Sequence, residues 1–119
     1  MRAAEGTLMK FKSLALALVF GAFAFGSGQA LADDRLDKTK YHVEEAITQA
    51  KLKDTGLLAY HADLALEKAE SLQKFKPDPH LAEAITHIKA AVEEGHADHL
   101  APATEHAKAA LAELQQVAN

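Results

Sequence analysis

Between residues 36 and 117 the apolar positions recur every three or four residues, with no strand-like alternation and almost no β-branched runs. Leu36, Val43, Ile47 and Ala50 step by seven, four and three, and Leu58, Ala62, Ala65, Ala69 and Leu72 step by four and three in turn. Leu81, Ile85, Ile88 and Val92 form a third stripe beside Ala84 and Ala91, and Leu100, Ala103, Ala107, Ala110, Leu114 and Val117 form a fourth. One apolar stripe per segment marks a helix that buries a single face. The spacing predicts four helices over roughly 34–53, 57–75, 79–94 and 98–117. Ala, Leu, Lys and Glu, the strongest helix formers, fill them.

The breaks fall where four helices need them. Asp54-Thr55-Gly56 and Gly95-His96-Ala97-Asp98 read as tight helix–helix turns, with glycine available for a left-handed cap. Lys76-Pro77-Asp78-Pro79 separates two hairpins, with Asp78 as N-cap and Pro79 at the first helical position. Pro102 is tolerable only in a first turn, so the fourth helix begins near Asp98. The fold class expected is all-α, an antiparallel up-down-up-down four-helix bundle made of two repeated helical hairpins. Alanine at so many seam positions implies close helix approach and a core of small volume. Tyr41, Tyr60 and Phe75 read as packing residues.

The chain also repeats internally. Shifted by 38, His42, Glu45, Ala46, Ile47, Thr48, Lys51, His61, Ala65, Glu67 and Ala69 fall on His80, Glu83, Ala84, Ile85, Thr86, Lys89, His99, Ala103, Glu105 and Ala107. Ten identities at one offset, with no gap, define units of about 42–75 and 80–113. Histidine recurs with the unit, which points to metal ligation.

The N-terminal third differs. Lys10 and Lys12 precede an apolar run from Leu14 to Phe25, and Ala30-Leu31-Ala32 follows before Asp33. That is the form of a secretory signal peptide over residues 1–32, with Met1 or Met9 as start, removed to leave a domain at 33–119 with no membrane segment. Cysteine is absent, which excludes disulfides, thiolate ligands and lipid attachment at the cleavage site. Of 17 Asp+Glu and 13 Lys+Arg, only Glu5 and Arg2, Lys10 and Lys12 precede Asp33. Sixteen acids against ten bases remain, so the domain carries −6 with neutral histidine, and a nucleic-acid partner is disfavoured. The domain is expected to be exported.

Seven histidines supply the candidate ligands. His80 and His87 are seven apart with Glu83 between them, on one edge of the third helix. His99 and His106 flank the stripe of the fourth. In a hairpin turning near residues 96–97, facing residues have numbers that sum to about 193. His87 then faces His106, Glu94 faces His99, and His80 faces Glu113. Subtracting 38 from the first pair gives Gln49 and Lys68, so the first hairpin is expected to lack a facing imidazole pair. Most affinity is then expected within residues 80–106. The turn Glu93-Glu94-Gly95-His96-Ala97-Asp98-His99 offers a second cluster of nitrogen and oxygen donors suited to a borderline cation.

The stretch His80-Leu-Ala-Glu-Ala-Ile-Thr-His-Ile-Lys-Ala-Ala-Val-Glu-Glu-Gly-His-Ala-Asp-His, continued by Ala103-Thr104-Glu105-His106-Ala107-Lys108, resembles the small metal-binding protein (SmbP) family. The likeness covers nearly all of residues 42–114. It implies a small, periplasmic, helical, non-enzymatic protein that buffers or scavenges divalent metal ions, copper most notably. By motif it carries ligand roles to His80, His87, His96, His99 and His106, with His42 and His61 from the first repeat. Gln49, Lys53, Lys68 and Gln115 depart from the pattern where that family often has imidazole.

The function expected is binding of copper(II), with nickel or zinc as alternatives, by imidazole nitrogens helped by carboxylates. Copper leads because nitrogen-rich sites follow the Irving–Williams order. The competing reading is a periplasmic helical-bundle interaction protein that has largely lost its ligands. An enzyme is disfavoured. A di-iron bundle needs Glu-x-x-His pairs on facing helices, and the one instance, Glu93…His96, runs into a turn.

Overall fold

The computed structural model describes residues 27–118, and side-chain environments from Asp34 onward. The bundle belongs to the compact unit that begins at Ala32. Four helices follow in order: α1 (Ser27–Lys51), α2 (Thr55–Phe75), α3 (Pro79–His96) and α4 (Leu100–Leu114). The bundle is all-helical, as the four stripes anticipate. Helix α1 starts at Ser27 rather than near residue 34, because Gln29-Ala30-Leu31-Ala32 are competent helix formers that extend it. The expected signal peptide otherwise lies outside the described residues. No described helix is long and apolar enough to cross a membrane.

Helix ends are set by local chemistry. Asp54 caps α2 by accepting a hydrogen bond from the Leu57 amide. Asp78 caps α3 through the amides of His80 and Leu81, with Pro79 at the start. Burial pushes the Asp78 carboxyl up, but amide bonds from Ala118, Leu81 and His80, with the His80 charge, outweigh it and hold the pKa below the usual value. Both hairpin turns close as Schellman motifs. The Asp54 amide donates to the Gln49 carbonyl at 2.9 Å and the Lys53 amide to Ala50 at 2.9 Å. At the other turn His99 donates to Glu94 at 2.8 Å and Asp98 to Gly95 at 3.0 Å. The left-handed residue in each is not glycine, contrary to expectation: Lys53 has φ 61° and Asp98 φ 63°. Gly56 and Gly95 instead lie inside α2 and α3. The two turns touch, through a hydrogen bond from the Thr55 hydroxyl to the Asp98 carboxylate.

These turns fix the structural repeat at 45 residues, one heptad more than the 38 of the sequence identities. At 45, Leu36, Val43, Ala46, Ala50, Leu58, Ala62, Ala65, Ala69 and Leu72 fall on Leu81, Ile88, Ala91, Gly95, Ala103, Ala107, Ala110, Leu114 and Val117, every one buried. At 38, buried Leu58 would fall on exposed His96. Seven residues turn a helix to within about 20° of two full rotations. The shorter offset therefore keeps each residue on its face while sliding it about 10 Å along the axis.

Among the described residues, eleven of the nineteen buried apolar ones are alanine, so the seams are thin and the helix backbones come close. Leu36, Val43, Leu72, Leu81, Ile88 and Leu114 supply most of the core volume. Buried Thr39 is satisfied by donating to the Arg35 carbonyl at 2.7 Å. Tyr41, Tyr60 and Phe75 do not pack inside as expected. They are exposed, because an alanine-wide seam has no room for a ring.

Candidate metal centre

His42, His61, His87 and His106 sit at the seam edges because each is sequence-adjacent to a buried residue and one turn from a buried alanine. His87 precedes Ile88 with Ala84 and Ala91 on either side, and His106 precedes Ala107 with Ala103 and Ala110. The thin seam brings the half-buried rings together, with Nδ1 of His87 3.2 Å from Nδ1 of His106. This is the facing pair that the sum of 193 anticipates. The same sum describes its neighbours. His80 Nδ1 donates to Glu113 Oε1 at 2.8 Å, and His99 Nδ1 to Glu94 Oε1 at 2.7 Å. The α3–α4 seam thus carries three rungs, each about 10 Å from the next. In the outer two the carboxylate occupies Nδ1, so Nε2 is the one ring nitrogen left to meet an ion.

The first hairpin has its own imidazole pair, contrary to the expected asymmetry. His42 Nδ1 lies 3.4 Å from His61 Nδ1, with the rings stacked at 5.6 Å. The 38-residue offset led to Gln49 and Lys68, whereas the structural offset of 45 carries His87 and His106 onto His42 and His61. The outer rungs are missing there. Their equivalents are Arg35 with Lys68, and Gln49 with Asp54. Tyr41 and Tyr60 meet His42 and His61 edge-on at 5.2 and 5.4 Å, so four rings form a row across the α1–α2 seam. Their signal in the sequence is the dipeptide Tyr-His occurring twice, nineteen residues apart. The second pair has Thr86 and Glu105 in those places.

Burial, with the charges of His61, Lys68 and Lys38, pushes the His42 pKa below 6.5 against the opposing pull of Glu45. Its imidazole is therefore neutral at pH 7 and has a lone pair to offer. The remaining candidates do not converge. Glu83 and His96 are exposed, and among the described residues no three His, Asp or Glu side chains gather closely enough to hold one ion. The Glu93–His99 turn is a row of separate donors, not a cage.

Two nitrogens about 2.05 Å from a shared ion lie about 3.3 Å apart at the tetrahedral angle and about 2.9 Å at a right angle. Separations of 3.2 and 3.4 Å fit the first and need only a slight ring rotation for the second. Each pair thus has the nitrogen spacing of a two-nitrogen chelate. The family model of small metal-binding proteins matches residues 9–117. The chain belongs to the small metal-binding protein family. No curated protein matches it. Family membership makes the bundle a non-enzymatic metal binder.

Proposed function

We propose that the protein captures divalent metal ions in the periplasm, copper(II) ahead of nickel and zinc, with one ion at His42–His61 and one at His87–His106. The observation that carries this is the pair of imidazole contacts at 3.4 and 3.2 Å, one per hairpin, at equivalent positions. Two ligands from two helices hold an ion while leaving its other positions to water or to a recipient. Such an open shell suits buffering, because incoming ligands can bind before the outgoing ones leave. Copper gains most from two nitrogens. The outer rungs, His80–Glu113 and His99–Glu94, offer one nitrogen each and rank below the pairs. His96 and Glu83 contribute only weak, solvated contacts. The secretory leader read over residues 1–32 supports the location.

Chelator competition with copper, nickel and zinc at pH 7.5 tests the metal order, and the mass of the product recovered from the periplasmic fraction tests export. The expected outcomes are affinity in the order copper, nickel, zinc and a mature chain beginning at Asp33. Equal, weak binding of all three, or retention of residues 1–32 in the cytoplasm, contradicts the proposal.

A further inference from the structure

Every large apolar side chain that stands exposed among the described residues belongs to the first hairpin. Tyr41, Leu52, Leu57, Tyr60 and Phe75 are 44–68% exposed, and α3 and α4 have none. Two of the five, Tyr41 and Tyr60, bracket the His42–His61 chelate. That chelate supplies two nitrogens, and no third His, Asp or Glu gathers with them among the described residues. A tetrahedral ion held there lacks two ligands.

We propose that the α1–α2 face is a metal-bridged interface between two copies of this chain. One ion takes the His42–His61 pair from each copy, on a twofold axis through the ion, and the flanking tyrosines pack across that axis. This rests on the metal-binding reading of the pair. A second copy fits better than another occupant because it supplies what the ion lacks, an identical pair at the same 3.4 Å separation. The contact is isologous and closes at two. A row of four rings is far smaller than the roughly 1,200 Å² of a stable interface, so the dimer forms only with the ion. The second pair is no equal substitute. Glu105 stands there in place of Tyr60, and a twofold contact would set acid against acid with no aromatic surface.

Zinc is the probe, being tetrahedral and redox-inert. The protein obtained by expressing the full chain is weighed in solution with and without zinc, and bound zinc is counted in parallel by calorimetry. The mass is expected to double with zinc and return on adding a chelator. His42→Gln with His61→Gln leaves a monomer that still binds zinc through His87 and His106. Tyr41→Ala with Tyr60→Ala, at exposed positions that do not threaten folding, weakens dimerisation about tenfold and keeps zinc binding. Zinc bound with no change in mass overturns the interface and leaves the metal reading intact. A dimer lost in His87→Gln with His106→Gln, but kept in the first double variant, overturns the interface as well. Absence of zinc binding overturns both.

Discussion

Gly95→Ala is the substitution on which two physical effects pull in opposite directions, and the distances decide between them. A methyl at Gly95 would sit 2.9 Å from the Ala59 Cβ, 3.3 Å from the Ala59 Cα and 3.3 Å from a Leu58 methyl. Carbon atoms rest about 3.5–4.0 Å apart, so α2 and α3 must separate by roughly 0.5–1 Å. The Leu58 methyl can swing aside, but the Ala59 Cβ and backbone cannot. Overpacking of this kind costs about 1–3 kcal/mol. Alanine gains up to about 1 kcal/mol over glycine in a helix, less here because Gly95 is the penultimate residue of α3. Destabilisation by about 1–2 kcal/mol wins. In a domain this small that is a fall in Tm of roughly 5–15 °C. Gly56→Ala is the control. Its methyl would meet only Asp54 Oδ1 at 3.5 Å, an ordinary contact, so it should stabilise, by up to about 0.5 kcal/mol at the second residue of α2. Urea unfolding followed by circular dichroism measures both, and adding Ala59→Gly to Gly95→Ala should recover part of the loss through coupling. A Gly95→Ala protein as stable as Gly56→Ala would show that α2 and α3 do not approach as described.

Three further outcomes follow from the same structure. Because the folded pKa of His42 lies below 6.5, the unfolded chain takes up the proton first; apo stability is complete above about pH 6.5 and falls as pH drops through the folded value. His42→Gln should flatten that fall in unfolding measured from pH 7.5 to 5, and an unchanged slope refutes the assignment. Asp78→Ala should cost about 1 kcal/mol and remove part of the acid limb of stability, since the depressed carboxyl stabilises the fold above its usual pKa and loses this as pH falls; Asp78→Asn, which still caps, should cost less. Both tyrosines flank the first pair and the chain has no tryptophan, so bound copper(II) should quench tyrosine emission in the wild type and in His87→Gln/His106→Gln, but not in His42→Gln/His61→Gln.

The four helices were legible because the stripes are long and nearly every position agrees with helix, down to Asp78-Pro79 at the start of α3. The His87–His106, His80–Glu113 and His99–Glu94 pairings were legible too, because one tight turn fixes the register of a whole hairpin. The first hairpin misled for a specific reason. Four histidine pairs are nineteen apart: His42–His61, His61–His80, His80–His99 and His87–His106. Only those whose midpoints fall in a turn face one another, and the midpoints of His61–His80 and His80–His99 lie inside α2 and α3. The 38-residue identities align a heptad early, which preserves the buried face and hides the slip. The exposed tyrosines escaped notice because aromatic rings at helical spacing normally mark a core, whereas here alanine leaves the core too narrow for them.

The central claim is that each hairpin holds one ion between its two facing histidines, and counting tight copper(II) sites tests it most directly. Calorimetric titration at pH 7.5 should find two kinds of tight site in the wild type, with the His42–His61 site filled by one ion per two chains where it bridges copies. His42→Gln/His61→Gln should lose the first kind, His87→Gln/His106→Gln the second, and the quadruple variant both. Two tight sites surviving in the quadruple variant would contradict the account and move the ions to the outer histidines, with His80, His96 and His99 then the ligands to examine.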